Sequence, residues 1–95
     1  MSTSDQIQVR HNTAESRFEA EVEGQLSVAD YVCEGDRMIF THTYTPPNQR
    51  GRGIAEKLVR AALDHARAEK KKVVPACSYV AVFVERHAEY KPLLA

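Results

Sequence analysis

The chain of 95 residues contains only two cysteines, Cys33 and Cys77, and neither belongs to a spaced set of metal ligands. A disulfide framework and a structural metal site are therefore not expected. The net charge is zero, because 13 lysines and arginines balance 13 aspartates and glutamates. No overall field attracts nucleic acid or an anionic membrane, so a phosphate-bearing ligand would have to be held locally.

Long apolar runs are absent as well, and the sequence predicts neither a signal peptide nor a membrane-spanning helix. Together with the two unpaired cysteines, this favours a cytoplasmic protein. The length suits one domain, residues 1–95, with a small core, and the polar residues 1–5 are expected to be disordered. We expect a monomer or weak homodimer that binds neither nucleic acid nor a membrane.

Alternation of apolar and polar residues predicts four strands, at residues 7–9, 18–22, 26–33 and 37–45. Turn-forming residues separate these strands at 12–16, at Gly24 and at 34–36. Cys33 has no partner motif and is interpreted as core filler. In the fourth strand, one face is expected to carry Met38, Phe40, His42 and Tyr44, and the other face Ile39, Thr41, Thr43 and Thr45.

The rest of the chain contains one long helical pattern and one short strand. Apolar residues recur at helical spacing between residues 53 and 70, at Ile54, Leu58, Ala62 and Ala66. A short strand follows at residues 72–76, and a strand, a crossover helix and a second strand imply a parallel pair. The tail is expected to pack its two leucines, Leu93 and Leu94, on the core.

Residues 43–55, Thr-Tyr-Thr-Pro-Pro-Asn-Gln-Arg-Gly-Arg-Gly-Ile-Ala, connect the fourth strand to the long helix. Gly51 and Gly53 allow the backbone to approach a ligand closely, because neither has a Cβ. The start of the helix offers unpaired N–H groups and a positive dipole end, and Arg50 and Arg52 add charged donors. The stretch predicts a phosphate site, and the alternative is a plain strand-to-helix turn that uses glycine.

The same stretch resembles the pyrophosphate-binding loop of the GNAT superfamily of N-acetyltransferases, whose pattern is Gln or Arg, two residues, Gly, one residue, then Gly or Ala. Arg50, Gly53 and Ala55 satisfy this pattern, whereas the register that ends in Gly51 and Gly53 begins with Asn48. The resemblance extends over residues 17–94. Three further segments are similar to the minimal single-domain branch of that superfamily: His42-Thr43-Tyr44, Pro75-Ala76-Cys77-Ser78-Tyr79-Val80 and Lys91-Pro92-Leu93.

This resemblance implies an α+β (α/β) protein with the minimal GNAT fold. The sheet would be twisted and mixed, with about five strands, one long helix after strand four and a short C-terminal helix near residues 79–85. The implied activity is transfer of an acetyl group from acetyl-coenzyme A to an amine acceptor, either a small molecule or a protein, without a metal. The acceptor is not identified by the resemblance. The alternative is a non-catalytic module that binds coenzyme A or acetyl-coenzyme A, or an interaction partner.

The resemblance also implies roles for individual residues. His42 would take a proton from the amine, and Cys77 or Tyr79 would return a proton to the leaving thiolate. Cys77 could instead accept the acetyl group as a nucleophile. Each of the three also has a structural interpretation, as a buried strand histidine, an inert core thiol and a packing tyrosine. Backbone groups of Thr43 and Thr45 would contact the pantetheine arm, and the diphosphate would be held by Asn48, Gln49, Arg50, Gly51, Arg52, Gly53, Ile54 and Ala55.

Overall fold

A computed structural model describes residues 7–95, and the expectation of disorder at residues 1–5 lies outside the described residues. Five strands form in chain order: β1 (Arg10–Asn12), β2 (Arg17–Val22), β3 (Gln25–Glu34), β4 (Arg37–Tyr44) and β5 (Lys72–Pro75). They make one sheet in the order β1-β2-β3-β4-β5. Neighbouring strands are antiparallel except β4 and β5, which are parallel, as the sequence predicts.

Two α-helices pack on this sheet. Helix α1 (Ile54–Ala68) crosses over from β4 to β5, and α2 (Ser78–Arg86) follows β5. Short 3-10 helices occupy Pro47–Gln49 and Ala88–Leu93. The buried stripe of α1 has the helical spacing that the sequence predicts, because it comprises Ile54, Leu58, Val59, Ala62, Leu63 and Ala66. The expected mixed sheet, long helix and short C-terminal helix are therefore all present.

The core lies between one face of the sheet and the helices. Helix α2 contributes Val80, Phe83 and Val84, and the C-terminal 3-10 helix adds Tyr90, whose hydroxyl donates to Asp64 of α1 at 2.8 Å. Removing these apolar side chains from water is the main driving force for this packing. The sheet contributes alternate residues of its three middle strands: Phe18, Ala20, Ala29, Tyr31, Met38 and Phe40.

An irregularity in β4 reverses the alternation of its side chains. Two consecutive residues of β3 pair with Phe40 and with His42, so Thr41 has no residue opposite it. Such a bulge shifts the alternation by one residue. Thr43 therefore pairs with buried Ala29 on the helix-covered face, whereas His42 lies on the opposite face. The expectation that Phe40 and His42 share a face is wrong for this reason.

The first strand begins later than the sequence predicts. Ile7 is buried in the core and Val9 packs against it, but the ladder with β2 starts only at Arg10. The Nε atom of Arg10 donates to Glu19 Oε1 at 2.8 Å, and Arg17 Nε donates to Glu19 Oε2 at 2.8 Å. The bonds from Arg17 and Arg10 hold the pKa of this buried carboxyl at about 2, against the opposing effect of burial. These ion pairs account for pairing at residues 10–12.

Two further packing expectations are wrong. Cys33 is exposed and is not core filler, because the last three residues of β3 all extend into solvent. Leu93 packs against the core as expected, but Leu94 is exposed. The backbone of Leu94 forms an isolated parallel bridge with Val73 at the edge of the sheet, which leaves its side chain in solvent.

Candidate functional site

A cavity of about 730 Å³ opens between the end of β4 and the start of α1. Its volume lies within the range of roughly 300–1,000 Å³ that is typical of ligand pockets. Tyr79 of α2 forms part of the wall, as does His42 of β4. Most of the predicted cofactor-binding residues also line it: Thr43, Thr45, Gln49, Arg50, Gly51, Gly53, Ile54 and Ala55.

The glycine loop and the start of α1 provide backbone N–H groups beside this cavity. Gly51 and Gly53 have φ values of 88° and 81°, in the left-handed region that glycine adopts without strain. The first helical hydrogen bond runs from the Lys57 N–H to the Gly53 carbonyl at 3.1 Å. The N–H groups of residues 54–56 come before this bond and have no helical acceptor. The loop and the helix start therefore form a concave set of donors that suits an anion.

The two predicted arginines differ in position. Arg50 lines the cavity and is exposed, and its Nε donates to the Thr45 carbonyl at 3.2 Å. Arg52 is directed elsewhere, because its Nη1 lies 3.2 Å from Glu23 Oε1. Asn48 is exposed and, among the described residues, does not contribute to the cavity wall. The structure thus brings Arg50 to the candidate site but not Asn48 or Arg52.

Gln49 anchors the loop to the sheet. Its side chain is fully buried, and its Nε2 donates to the Val22 carbonyl at 2.6 Å. This bond joins the 3-10 helix at Pro47–Gln49 to the end of β2. A buried amide group that donates to a carbonyl has a structural role, and it holds the glycine loop in register with the sheet.

Cys77 lies where β4 and β5 separate. Pairing of the two strands ends at Phe40, and the Cys77 N–H then donates to the Phe40 carbonyl at 2.8 Å. The sulfur lies 3.6 Å from Thr43 Oγ1. Burial raises the pKa of the Cys77 thiol, but hydrogen bonds from the Val80 N–H, the Thr43 hydroxyl and the Tyr79 N–H together lower it below its ordinary value.

The three predicted catalytic residues occupy different surroundings. His42 and Tyr79 both line the cavity, whereas Cys77 is absent from the cavity wall as described for residues 7–95. The side-chain partner of the Cys77 sulfur is Thr43. His42 is exposed on the far face of the sheet, so the structural interpretation as a buried histidine does not apply.

Sequence reasoning missed two residues of the cavity wall, Tyr44 and Glu56. Burial raises the pKa of Tyr79, and the Glu56 carboxylate raises it further. Glu56 also lies 3.6 Å from Arg60, one helical turn away. Tyr44 and Glu56 could have been predicted from their position, because both residues flank the glycine loop in the sequence.

Two observations concern cofactors and membranes. Within residues 7–95, no group of three or more His, Cys, Asp or Glu side chains is arranged to hold a metal ion. In the same part of the chain, no helix has the length and hydropathy required to cross a membrane.

Comparison with known proteins identifies a matching family model and several similar proteins. The family model described as GCN5-related N-acetyl-transferase matches residues 17–93. Protein NATD1 of Gallus gallus is 34% identical over 84 residues, which cover 85% of this chain and 76% of that protein. Protein NATD1 of Homo sapiens is 33% identical over 84 residues, which cover 85% of this chain and 74% of that protein.

A solved structure has the same fold. The NMR solution structure of a GCN5-like protein from Staphylococcus aureus covers 100% of this chain and 91% of its own, with a TM-score of 0.70 and 21% sequence identity. At that identity the likeness supports the fold alone. The family match and the NATD1 relatives confirm the resemblance inferred from the sequence, and the chain belongs to the GCN5-related N-acetyltransferase family.

Proposed function

We propose that this protein is an N-acetyltransferase that transfers the acetyl group of acetyl-coenzyme A to a primary amine. The observation that carries the proposal is the cavity in which the glycine loop and the free N–H groups of the first turn of α1 meet the end of β4. Membership of the acetyltransferase family supports the reaction type. The acceptor is an amine on either a small molecule or a protein.

The residues at the cavity fit the diphosphate of coenzyme A. A Cβ added at Gly51 or Gly53 would meet no atom within 4 Å, so these glycines are required by the left-handed backbone conformation and not by steric crowding. The N–H groups of the loop and of the first turn of α1 would hold the diphosphate, with Arg50 as a charged donor. Beyond Phe40, β4 has no pairing with β5, so the backbone at Thr43 and Thr45 would face the pantetheine arm. The Thr45 carbonyl, which accepts a hydrogen bond from Arg50 Nε, would exchange that bond on binding.

Bound acetyl-coenzyme A supplies a thioester, whose carbonyl carbon the amine attacks with loss of the carbon–sulfur bond. One proton leaves the amine nitrogen and one proton reaches the coenzyme sulfur, so the chain has to manage both transfers. We assign the first to His42, which is exposed beside the cavity. We assign the second to Tyr79 or Cys77, while attack on the thioester by the Cys77 sulfur is the covalent alternative.

Binding of acetyl-coenzyme A tests the first half of the proposal by isothermal titration calorimetry. Gly51→Ala forces a side chain into a φ of 88°, and relaxation of this strain turns the loop N–H groups away. We expect an affinity loss of about tenfold. Gly35→Ala is the matched control, because Gly35 has a φ of 60° in the turn between β3 and β4, outside the cavity wall. No heat of binding, or equal losses in both variants, would reject the cofactor site.

Turnover tests the second half. The protein is incubated with acetyl-coenzyme A and a panel of primary amines and lysine-containing proteins, and mass spectrometry detects acetylated products. Acetylated amines support direct transfer, and an acetyl group on Cys77 supports the covalent route. Binding without any acetylated product would favour the non-catalytic coenzyme A module.

A further inference from the structure

We propose that the hydroxyl of Thr43 is a proton relay between the cavity and Cys77. Thr43 lines the cavity, and its Oγ1 lies 3.6 Å from the Cys77 sulfur. Cys77 does not contribute to the cavity wall as described for residues 7–95. Thr43 is thus the contact through which a group in the cavity can exchange a proton with this thiol. The inference rests on the proposed acetyl transfer and assigns the proton donor within it.

The bulge in β4 selects a hydroxyl for this contact. Because Thr41 has no residue opposite it in β3, the residue that follows Phe40 on the helix-covered face is Thr43. A regular strand would have placed His42 on that face instead. The bulge therefore separates the two proton transfers, with the imidazole on one face of β4 and the hydroxyl with its thiol partner on the other.

The relay balances protons and charge. When the carbon–sulfur bond of the thioester breaks, the coenzyme thiolate takes the Thr43 hydroxyl proton while the Cys77 S–H proton moves to Thr43 Oγ1. The hydroxyl is regenerated, and the negative charge ends on the Cys77 sulfur. The amine proton that leaves through His42 finally reprotonates Cys77 by way of solvent, so the protein returns to its starting state.

The position of Cys77 suits it to carry that charge. It is the N-cap residue of α2, so its side chain lies near the positive end of the helix dipole. The N–H groups of Val80 and Tyr79 stabilise the thiolate, which is why the pKa of the thiol is lowered in spite of its burial. A thiol of lower pKa gives up its proton more readily to a departing coenzyme thiolate.

A purely structural contact is the competing explanation, because Cys77 also packs against the core. Thr43→Val separates the two explanations, since valine keeps the shape of threonine and removes the hydroxyl. Thr43→Ser restores the hydroxyl and gives up the methyl group. Thr13→Val is the matched control, because Thr13 is exposed, lies in the turn between β1 and β2 and is outside the cavity wall. All variants carry Cys33→Ser, so that Cys77 is the only thiol.

Two measurements then test the relay. The pH midpoint of Cys77 alkylation by iodoacetamide, without cofactor, should rise by about half a unit in Thr43→Val because a donor to the thiolate is lost. Turnover with acetyl-coenzyme A should show kcat reduced about tenfold in Thr43→Val with KM within about twofold. Thr43→Ser should recover most of both effects, and Thr13→Val should match the parent protein.

An unchanged alkylation midpoint in Thr43→Val overturns the relay, as does a kcat equal to that of Thr13→Val. Either result leaves the proposed acetyl transfer intact, because the parent protein still turns over. If the parent protein acetylates no amine although Cys77 titrates as expected, the acetyl transfer fails, and the relay fails with it.

Discussion

Tyr79 is a predicted catalytic residue that lines the cavity and has a raised pKa. Burial raises the pKa of its hydroxyl, and the Glu56 carboxylate on the facing helix raises it further. A tyrosine hydroxyl is protonated throughout the neutral range, and the raised pKa extends this state to higher pH. That is the state which a proton donor to a leaving thiolate requires.

Replacement of Tyr79 by phenylalanine keeps the ring and removes the proton. If Tyr79 returns the proton, Tyr79→Phe should lower kcat by about tenfold to a hundredfold and leave the KM for acetyl-coenzyme A within about twofold. If the relay through Thr43 returns the proton instead, Tyr79→Phe should retain most of kcat. Steady-state kinetics with a saturating amine distinguish the two donors.

Glu56→Gln tests the assignment of Tyr79 as proton donor through the pH dependence of kcat. Removal of the carboxylate lowers the pKa of Tyr79, so the hydroxyl ionises at a lower pH and the alkaline limb of kcat should move to lower pH. Glu85→Gln is the control, because Glu85 is an exposed residue of α2 outside the cavity wall. An alkaline limb that stays in place in Glu56→Gln would contradict the role of Tyr79 as proton donor.

At the scale of elements, local signals in the sequence predicted α1, the glycine loop and the parallel pair. The stripe of α1 repeats at helical spacing, and Gly51 and Gly53 mark the helix start within a few residues, so no distant partner is needed. The bulge at Thr41 could not be predicted in this way. Residues 37–45 alternate regularly, and only their pairing with β3 reveals that one residue is left over.

Gln49 is a site residue whose role likewise could not be predicted from the sequence alone. Its position in the loop predicted a contact with the diphosphate, but the side chain is buried and bonded to the Val22 carbonyl of β2. A sequence pattern cannot distinguish a loop residue that binds ligand from one that anchors the loop. The distinction depends on where β2 ends, which is set by tertiary packing.

Gln49→Leu tests the anchor. Leucine fills a similar volume but cannot donate to the Val22 carbonyl, and we expect the free energy of unfolding to fall by about 1–3 kcal/mol. Backbone amides of residues 48–53 should also exchange faster with solvent, because the loop loses its attachment to β2. Urea unfolding and hydrogen-exchange mass spectrometry measure the two effects.

Asn48→Ala is the neighbouring control, because the Asn48 side chain is exposed. It should change the free energy of unfolding by less than about 0.5 kcal/mol. If Gln49→Leu unfolds and exchanges like Asn48→Ala, then the buried amide does not hold the loop.

At the scale of the whole molecule, the helices α1 and α2 cover one face of the sheet and leave the other to strand side chains. Among the exposed groups on the second face are Val32, Tyr44 and His42. An acceptor as large as a protein can approach His42 from this side without meeting a helix of residues 7–95. The fold thus supports an arrangement in which cofactor and acceptor approach β4 from different directions.

An aromatic cluster around His11 of β1 connects the sheet to helix α1. Its ring stacks on Phe18 of β2 at 4.1 Å, and Nε2 lies 2.5 Å from the Tyr31 hydroxyl of β3. The ring of His65 in α1 meets it edge-on at 4.6 Å. Burial lowers the pKa of His11, and the proximity of His65 lowers it further.

This cluster predicts the acid dependence of global stability. Because the folded pKa of His11 lies below its ordinary value of 6.5, the unfolded chain binds the proton more tightly. The contribution of His11 to stability is therefore complete above about pH 6.5 and is lost as the pH falls below that value. His11→Phe keeps the stacking on Phe18 and cannot be protonated, so its urea midpoint should fall less between pH 7.5 and 5.5 than that of the unaltered protein.

His87→Phe is the matched control for this measurement, because His87 also stacks on a phenylalanine, Phe83, at 4.0 Å but lies at the end of α2, away from β1. It should retain the acid-dependent loss of stability. A parallel loss in His11→Phe and in the unaltered protein would show that protonation of other groups destabilises the fold. A flattened pH dependence specific to His11→Phe would instead assign the acid-dependent loss of stability to protonation of the His11 imidazole, which contacts β2, β3 and α1.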